Sequence, residues 1–401
     1  MVPEFRFIET LSDLESLSKQ LAREEVLAVD IEADSLHHYF PKVCLVQIST
    51  DHYTFVIDPL AIQTMDVLQP LFTTDRIKKI FHGADYDLRS IFRDFAIKVN
   101  NVFDTMVASQ FIGEKEVGLA AVLNKRFGIH LVKKYQRANW SKRPLSQDML
   151  LYAAHDTAHL ITLYRELELQ LKSKGRLSWV IEEGKLLSLQ CAMGVKANSA
   201  FQPANGQTCS SSPRQLRETP LFKRFKGAGK MTQRDLAILE GLLVFREGKA
   251  MQQDRPPFKL FGNQVINELV NTKPTEYSAL MKTPGLPADF MRRYAKGVLG
   301  AIKGGLAMSE DRLPSYPRTP RPPRNPEKQA RLKRLKNWRD KKARELEMES
   351  GLVCNNLLLH ALAEVNPQDT DGLKAIPGMK VWQRETLGQE IVQVLRGATQ
   401  S

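Results

Sequence analysis

The chain has 401 residues, 42% of them hydrophobic, with 58 Lys and Arg against 45 Asp and Glu for a net charge of +13. At roughly 100–200 residues per domain it holds several domains and can bury a core without covalent staples. Cys44, Cys191, Cys209 and Cys354 lie far apart with no CxxC pair, which excludes a disulfide scaffold or thiolate zinc cluster and suits a reducing cytosol. No apolar run reaches the ~18 residues of a membrane span, and MVPEFRFIET lacks the order of a signal peptide, so a soluble cytoplasmic protein is expected. The charge is uneven: residues 1–195 carry 23 Lys and Arg and 25 Asp and Glu, the remainder 35 and 20. A basic C-terminal half points to a nucleic-acid partner, with a solubilising tail as the plain alternative.

In chain order, VLAVDIEAD (26–34) is a short β-branched run, followed by strand-like VCLVQIST (43–50) and YTFVID (53–58). RIKKIFHG (76–83) is another candidate strand. Leu88, Ile91, Phe92 and Phe95 recur at helical spacing in DLRSIFRDF (87–95). Helical patterns follow at 117–127 and from Gln147 to about Leu171. Strands early and helices late predict an α/β domain over residues 1–195. Residues 196–227, rich in Ser, Asn, Gln and Gly, read as a flexible linker. A helical block punctuated by Pro and Gly spans 228–308. The Pro-rich basic segment 309–326, with SYPRTPRPPRNP at its end, reads as a stiff extended spacer. The last block, 327–401, is helical again. Between Arg318 and Arg344 stand 12 Lys and Arg and two acids, while Leu332, Leu335, Trp338 and Leu346 leave one apolar face. Both blocks run through a charged amphipathic helix, a short helix ending near Pro, a Pro-Gly turn and a final helix, a degenerate internal repeat.

Chemistry concentrates in the first domain. Asp30 and Glu32 are two apart in a strand, so both carboxylates share a face while Val29 and Ile31 point into the core. Two carboxylates this close repel unless a cation sits between them, and hard oxygen ligands favour Mg²⁺ or Mn²⁺. A solvated strand end is the plainer explanation. Tyr152 and Asp156 are four apart on a helix and share a face; a half-buried Tyr bonded to a helix Asp is the plainer explanation there. Asp87 opens a helix, where a carboxylate also complements the helix dipole. Asp85 competes with it, and periodicity does not decide between them.

The ordered set carries more weight than any member. An Asp-x-Glu strand, an Asp opening a later helix and a Tyr-x₃-Asp helix resemble the DEDD exonuclease superfamily, in its Tyr-bearing DEDDy branch. The segments VDIEADSLHHYFPKVCLVQIST, KKIFHGADYDLRSI, VFDTMVAS, KKYQRANWSKRPLS and LLYAAHDTAHL are similar to ribonuclease D and its eukaryotic nuclear exosome relative. The two helical blocks resemble HRDC domains. This resemblance implies a ribonuclease H-like α/β exonuclease domain, a mixed sheet flanked by helices, followed by two all-α HRDC-type domains. It places the metal ligands on Asp30, Glu32, Asp87 and Asp156 and the catalytic Tyr on Tyr152. Where relatives read Asp-Trp, this chain has Asn139-Trp140, which puts any role of that carboxylate in doubt.

The activity so implied is 3′-5′ exoribonuclease trimming of tRNA precursors and other stable RNAs by two-metal-ion hydrolysis. Asp30 is expected to bridge two divalent ions, Glu32 and Asp156 to complete one, and Asp87 to hold the other. Tyr152 is expected to orient the attacking water. Candidate substrate contacts are His82, Lys133, Lys134, Tyr135, Trp140 and Arg143, with plain core packing the alternative for Trp140 and for His82. The basic helical blocks would lengthen the grip on RNA, and a monomer is favoured. A DNA exonuclease and a non-catalytic RNA-binding scaffold are the rivals. His155 and His159 have zinc-site spacing but no obvious third ligand. GAGK (227–230) misses the phosphate-loop pattern at Arg224 and Met231.

Overall fold

The computed structural model describes residues 4–197, 219–284, 286, 288–317 and 325–397. These form two compact units. One joins residues 4–33, 43–197 and 325–397; the other joins 34–42 to 219–317.

The first unit opens with β1 (Phe5–Ile8), α1 (Leu11–Leu21), β2 (Val26–Ala33), β3 (Val43–Ser49) and β4 (Thr54–Ile57). It continues with α2 (Gln69–Thr73), β5 (Lys78–Phe81), α3 (Asp85–Phe95), β6 (Val102–Asp104) and α4 (Thr105–Ile112). Then come α5 (Leu119–Phe127), α6 (Gln147–Ala158), α7 (Leu160–Ser173) and α8 (Leu177–Ala197). The six strands make one mixed sheet in the order β1-β4-β3-β2-β5-β6. β2 is antiparallel to β3 and parallel to β5. Alternation along β2 divides its side chains: Leu27, Val29 and Ile31 join a core with α1, α2 and α3, while Ala28 joins the opposite core with α4 and α7. Asp30 and Glu32 fall on the Ala28 face.

The second unit holds α9 (Gln233–Gln252), α10 (Pro257–Leu260), α11 (Asn263–Thr272), α12 (Tyr277–Met281) and α13 (Ala288–Leu306). The Thr232 hydroxyl and Asp235 carboxylate close a capping box at the start of α9. Residues 219–227 are not linker as expected: Leu221–Arg224 forms a 3-10 turn, and Phe222 and Phe225 enter the core beside Leu239 and Leu242. Two aromatics in a polar run show no periodicity, yet they bury enough surface to order it. Likewise Tyr316, at the start of the expected spacer, packs its ring 6.2 Å from Phe222; residues 318–324 lie outside the described residues. Segment 34–42 is clasped within this unit. The Asp254 carboxylate accepts from the Tyr39 and Phe40 amides at 3.0 and 3.3 Å, and the Tyr39 hydroxyl donates to Glu247 at 2.7 Å.

The last block comprises α14 (Pro326–Glu345), α15 (Ser350–Val353), α16 (Asn356–Val365) and α17 (Val381–Arg396), and it belongs to the first unit. It is no detached domain, because its core runs on into that of the α/β module. Trp382 stacks on Trp179 of α8 at 4.4 Å, with Phe111 edge-on to both. The Glu182 carboxylate accepts from the Val381 and Trp382 amides at 2.7 and 2.9 Å, where the positive end of the α17 dipole favours an anion. Gly113 has φ +99°, and a Cβ there would run into the Glu347 carbonyl oxygen, so the two backbones meet directly.

Other differences are local. His159, at φ −112° and ψ 0°, splits the helix expected over 147–171 into α6 and α7. The apolar spacing continues through that break, so periodicity does not register it. β1 and β6, of four and three residues, are too short for their alternation to stand out.

Trp382→Ala removes the stacked ring and is expected to cost about 3–5 kcal/mol. Urea unfolding is expected to show the last block and the α/β module losing structure in one transition; two separated transitions would contradict a shared core. A second test is pH. Burial opposes ionisation of Glu168, but hydrogen bonds from Lys172, Tyr164 and Lys78 prevail and hold its carboxyl at about 2, below the ordinary 4.5. A lowered folded-state value adds stability above the unfolded pKa that disappears as pH falls through the folded one. The stability gap between wild type and Glu168→Gln should therefore narrow as pH drops from about 5 to about 2.

Candidate active site

Three elements bring the five predicted side chains together. β2 supplies Asp30 and Glu32, paired across the ladder with Gln47 and Leu45 of β3. α3 supplies Asp87, 7% exposed. Asp85 turns outward, its carboxylate forked by Arg89 at 2.7 to 3.1 Å, so the ambiguity left by periodicity is resolved by burial. α6 packs on β2, β3 and β4 and carries Tyr152 and Asp156.

The start of α3 is held by Asp104, a residue that no sequence signal singled out. Its buried carboxylate accepts from the Gly83 and Ala84 amides at 2.9 and 2.8 Å. It also caps α4, accepting from Met106 and Val107 at 2.9 and 3.3 Å. The turn before Asp87 is thereby tied to the end of β6. The hold of Asp104 on that turn depends on strand pairing across 20 residues, which local pattern does not register.

Electrostatics mark the four acids as one group. Burial pushes the Asp30 carboxyl up to about 7. Burial also raises Glu32, with further pressure from the charges of Asp30, Asp156 and Asp87. Asp87 is raised by burial, then by Asp30, Asp104 and Asp85; Asp156 by burial, then by Asp30. Tyr152 is pushed upward by burial and by Asp156, Glu32 and Asp30, so the phenol keeps its proton across the working range. An all-oxygen set whose members repel one another fits divalent cations, which would remove the repulsion. Among the described residues no three His, Cys, Asp or Glu side chains are placed, as they stand, to hold a metal ion together. An open carboxylate face suits ions that retain waters and also take phosphate oxygens.

The expected substrate contacts divide. An open groove along α6 is lined by His130, Lys134, Tyr135, Tyr152, His155 and Asp156. Of the expected contacts, Lys134 and Tyr135 are among its lining residues. Lys133 is exposed but does not line it. His82 turns its Nδ1 to the Thr105 hydroxyl at 2.9 Å, behind the turn before α3. Trp140 is a correction: at 1% exposure it packs with Cys44, Val56 and Leu150, and no face is open to a base. Its ring backs Tyr152 at 6.0 Å instead. Arg143 is a second correction. Its guanidinium forks the buried Asp58 carboxylate at 2.6 and 2.7 Å and donates to the Cys44 carbonyl at 2.9 Å, so it braces the fold. Asn139 uses its oxygen to accept from the Ser141 amide and hydroxyl at 3.2 and 2.6 Å. An Asp would accept equally well, so the missing charge leaves this turn intact.

The basic window is also partly structural. Of the nine Lys and Arg in α14, Lys328 and Lys342 bond to Glu364 and Glu390. Arg331, Arg334 and Arg339 donate to the carbonyls of Ala363, of Val394 and Leu395, and of Cys354. Lys333, Lys336, Lys341 and Arg344 remain exposed.

Comparison with known proteins agrees with this geometry. A family profile described as 3′-5′ exonuclease matches residues 5–172. The HRDC domain profile matches twice, at 235–302 and 328–395. The exosome complex exonuclease RRP6 of Saccharomyces cerevisiae is 30% identical over 301 residues, 75% of this chain but 40% of that protein's length. Ribonuclease D of Acidiphilium cryptum is 29% identical over 320 residues, covering 79% of this chain and 76% of the relative. The crystal structure of Escherichia coli RNase D superposes with a TM-score of 0.68 at 21% identity, over 99% of this chain and 100% of that one. The catalytic core of RRP6 from Trypanosoma brucei does so with a TM-score of 0.58 at 26% identity, over 76% of this chain and 80% of that one. Among the described residues no helix is long and apolar enough to cross a membrane.

Arg143→Ala strands the buried Asp58 charge and is expected to cost about 3–5 kcal/mol. Because its guanidinium nitrogens are taken up by Asp58 and by the Trp140, Lys142 and Cys44 carbonyls, the salt dependence of single-stranded RNA binding should be unchanged. A slope reduced by about 0.7 would return Arg143 to the substrate.

Proposed function

We propose that the chain, which matches a 3′-5′ exonuclease profile over residues 5–172 and the HRDC profile twice and is similar to ribonuclease D, is a metal-dependent 3′-5′ exoribonuclease. It shortens structured RNAs, tRNA precursors among them, from the 3′ end and releases 5′-nucleotides. The observation that carries the reading is the convergence of Asp30, Glu32, Asp87 and Asp156, with Tyr152, at one end of the sheet.

Two divalent ions, Mg²⁺ or Mn²⁺, when bound would neutralise the phosphate, activate the attacking water and stabilise the leaving oxyanion. The side chains divide the work by position. Asp30 and Glu32 each share repulsion with the other acids, and Asp30, between Glu32 and both Asp87 and Asp156, would be the ligand to serve both ions. Tyr152 feels Asp156, Glu32 and Asp30, so it stands on the Glu32–Asp156 side. Its protonated phenol there donates to and orients the attacking water rather than removing a proton. Asp87 would help hold the second ion. Lys134 and Tyr135 line the groove that receives the strand, and exposed Lys333, Lys336, Lys341 and Arg344 extend the contact to phosphates without reading bases.

The test is a time course on 5′-labelled RNA and DNA of one sequence, with and without EDTA. A 3′-shortening ladder on RNA that EDTA stops is the expected result. A ladder on DNA alone would select a DNA exonuclease, and no ladder on either would leave a binding scaffold. Asp30→Asn and Asp156→Asn should abolish shortening, while Tyr152→Phe should lower kcat by about 10²-fold or more with metal binding retained. Wild-type rates in these variants would sink the site assignment.

A further inference from the structure

One polar side chain in the floor of the site has no partner. Gln47 is fully buried on β3, and neither its amide nitrogen nor its amide oxygen makes a hydrogen bond. It is the residue directly across the antiparallel ladder from Asp30. Opposed residues on such a pair share a face, with Cβ atoms about 4.5–5.5 Å apart. From that distance a glutamine amide can reach the carboxylate it faces. Ser49, the next residue on the same face, is partnered twice, by the hydroxyls of Thr54 and Thr157 at 2.8 and 2.7 Å. Buried amides are nearly always bonded, because an unpaired one bears its whole desolvation penalty. An orphan beneath a carboxylate cluster is therefore a group whose partner belongs to another state of the site.

The chemistry of the site narrows that partner. A carboxylate that ligates cations still has lone pairs to spare, and a donor on one of them fixes its orientation. Glutamine supplies that donor without charge, whereas a Lys or Arg at this position would compete with the cations. Resting on the exonuclease reading above, we infer that Gln47 is a positioning residue whose amide N–H donates to the ionised Asp30 carboxylate in the cation-loaded site. It thereby holds Asp30 in its ligating rotamer.

The test uses the full chain as wild type, Gln47→Leu and Gln47→Met. Melting temperature is measured in EDTA and then against rising Mn²⁺ and Mg²⁺, alongside kcat and KM on single-stranded RNA. Gln47→Leu should melt in EDTA at or above the wild-type temperature, because an unpaired amide is gone. Its half-saturating metal concentration should rise about 10- to 100-fold. KM for RNA should stay within twofold, and kcat at low metal should fall. Gln47→Met, of similar length and without a donor, should behave alike and decides the matter if Gln47→Leu does not fold. If the wild type responds to metal and the folded variants respond at the same concentrations, the inference about Gln47 fails alone. If the wild type shows no metal-dependent rise, the reading of the site fails and takes the inference with it.

Discussion

Four carboxylates held in partly desolvated positions at one end of a sheet are the constraint on which the architecture turns. Desolvation and mutual repulsion both disfavour their charged forms. Such a group does not assemble by its own attraction. It persists because each acid is delivered by an element anchored elsewhere. β2 is pinned between β3 and β5 at the centre of the sheet. α3 begins from a turn that Asp104 fastens to β6. α6 rests on β2, β3 and β4 through the buried Ala153, Ala154 and Thr157. The unfavourable electrostatics are thus offset by packing away from the site, the usual source of strain at functional positions.

The surrounding buried polar groups serve that delivery. Arg143 forks Asp58 just past β4 and reaches a β3 carbonyl, fixing the loop that leads into α6. Asp94, in the last turn of α3, accepts from the Val43 amide at 2.7 Å and ties that helix to the start of β3. Trp140 fills the space behind Tyr152. Each is charged, polar or aromatic, so residue type alone attracts a functional reading. Each acts one step behind the chemistry, by setting where a reacting side chain can be.

Legibility in the sequence followed the range of the interaction. Asp30 with Glu32 and Tyr152 with Asp156 are local patterns of period two and period four, and the structure brings these four side chains together. Asp87 was not separable from Asp85 by periodicity, because both sit in the first turn of α3; the distinction is which of them meets Arg89 and which meets Asp30. Asp104 and Gln47 were invisible for the same reason, since their meaning is a partner on another strand. The boundaries of the α/β module were legible from pattern changes. That segment 34–42 belongs with the 219–317 unit, and the last block with the first, was not, because those associations rest on side chains far apart in sequence. Trp140 and Arg143 misled because partners cannot be deduced from type: Trp140 is buried, and Arg143, though exposed, is committed to Asp58. An aromatic and an arginine beside a site are equally at home on substrate or in core.

Charge is the other place where a sequence sum and a structure part company. Window 318–344 holds most of the basic excess and invites a picture of one continuous grip. In α14 the cations serve two ends. Those facing inward bond the carbonyls that end α16 and α17 and the acids beside them, satisfying groups a small helical block would otherwise leave unpaired. Only the outward set is available to phosphates. The same helix therefore stabilises the block and presents its charge. That block shares a core with the α/β module through Trp382 and Trp179, so its exposed cations belong to the same compact unit as Asp30 and Asp156.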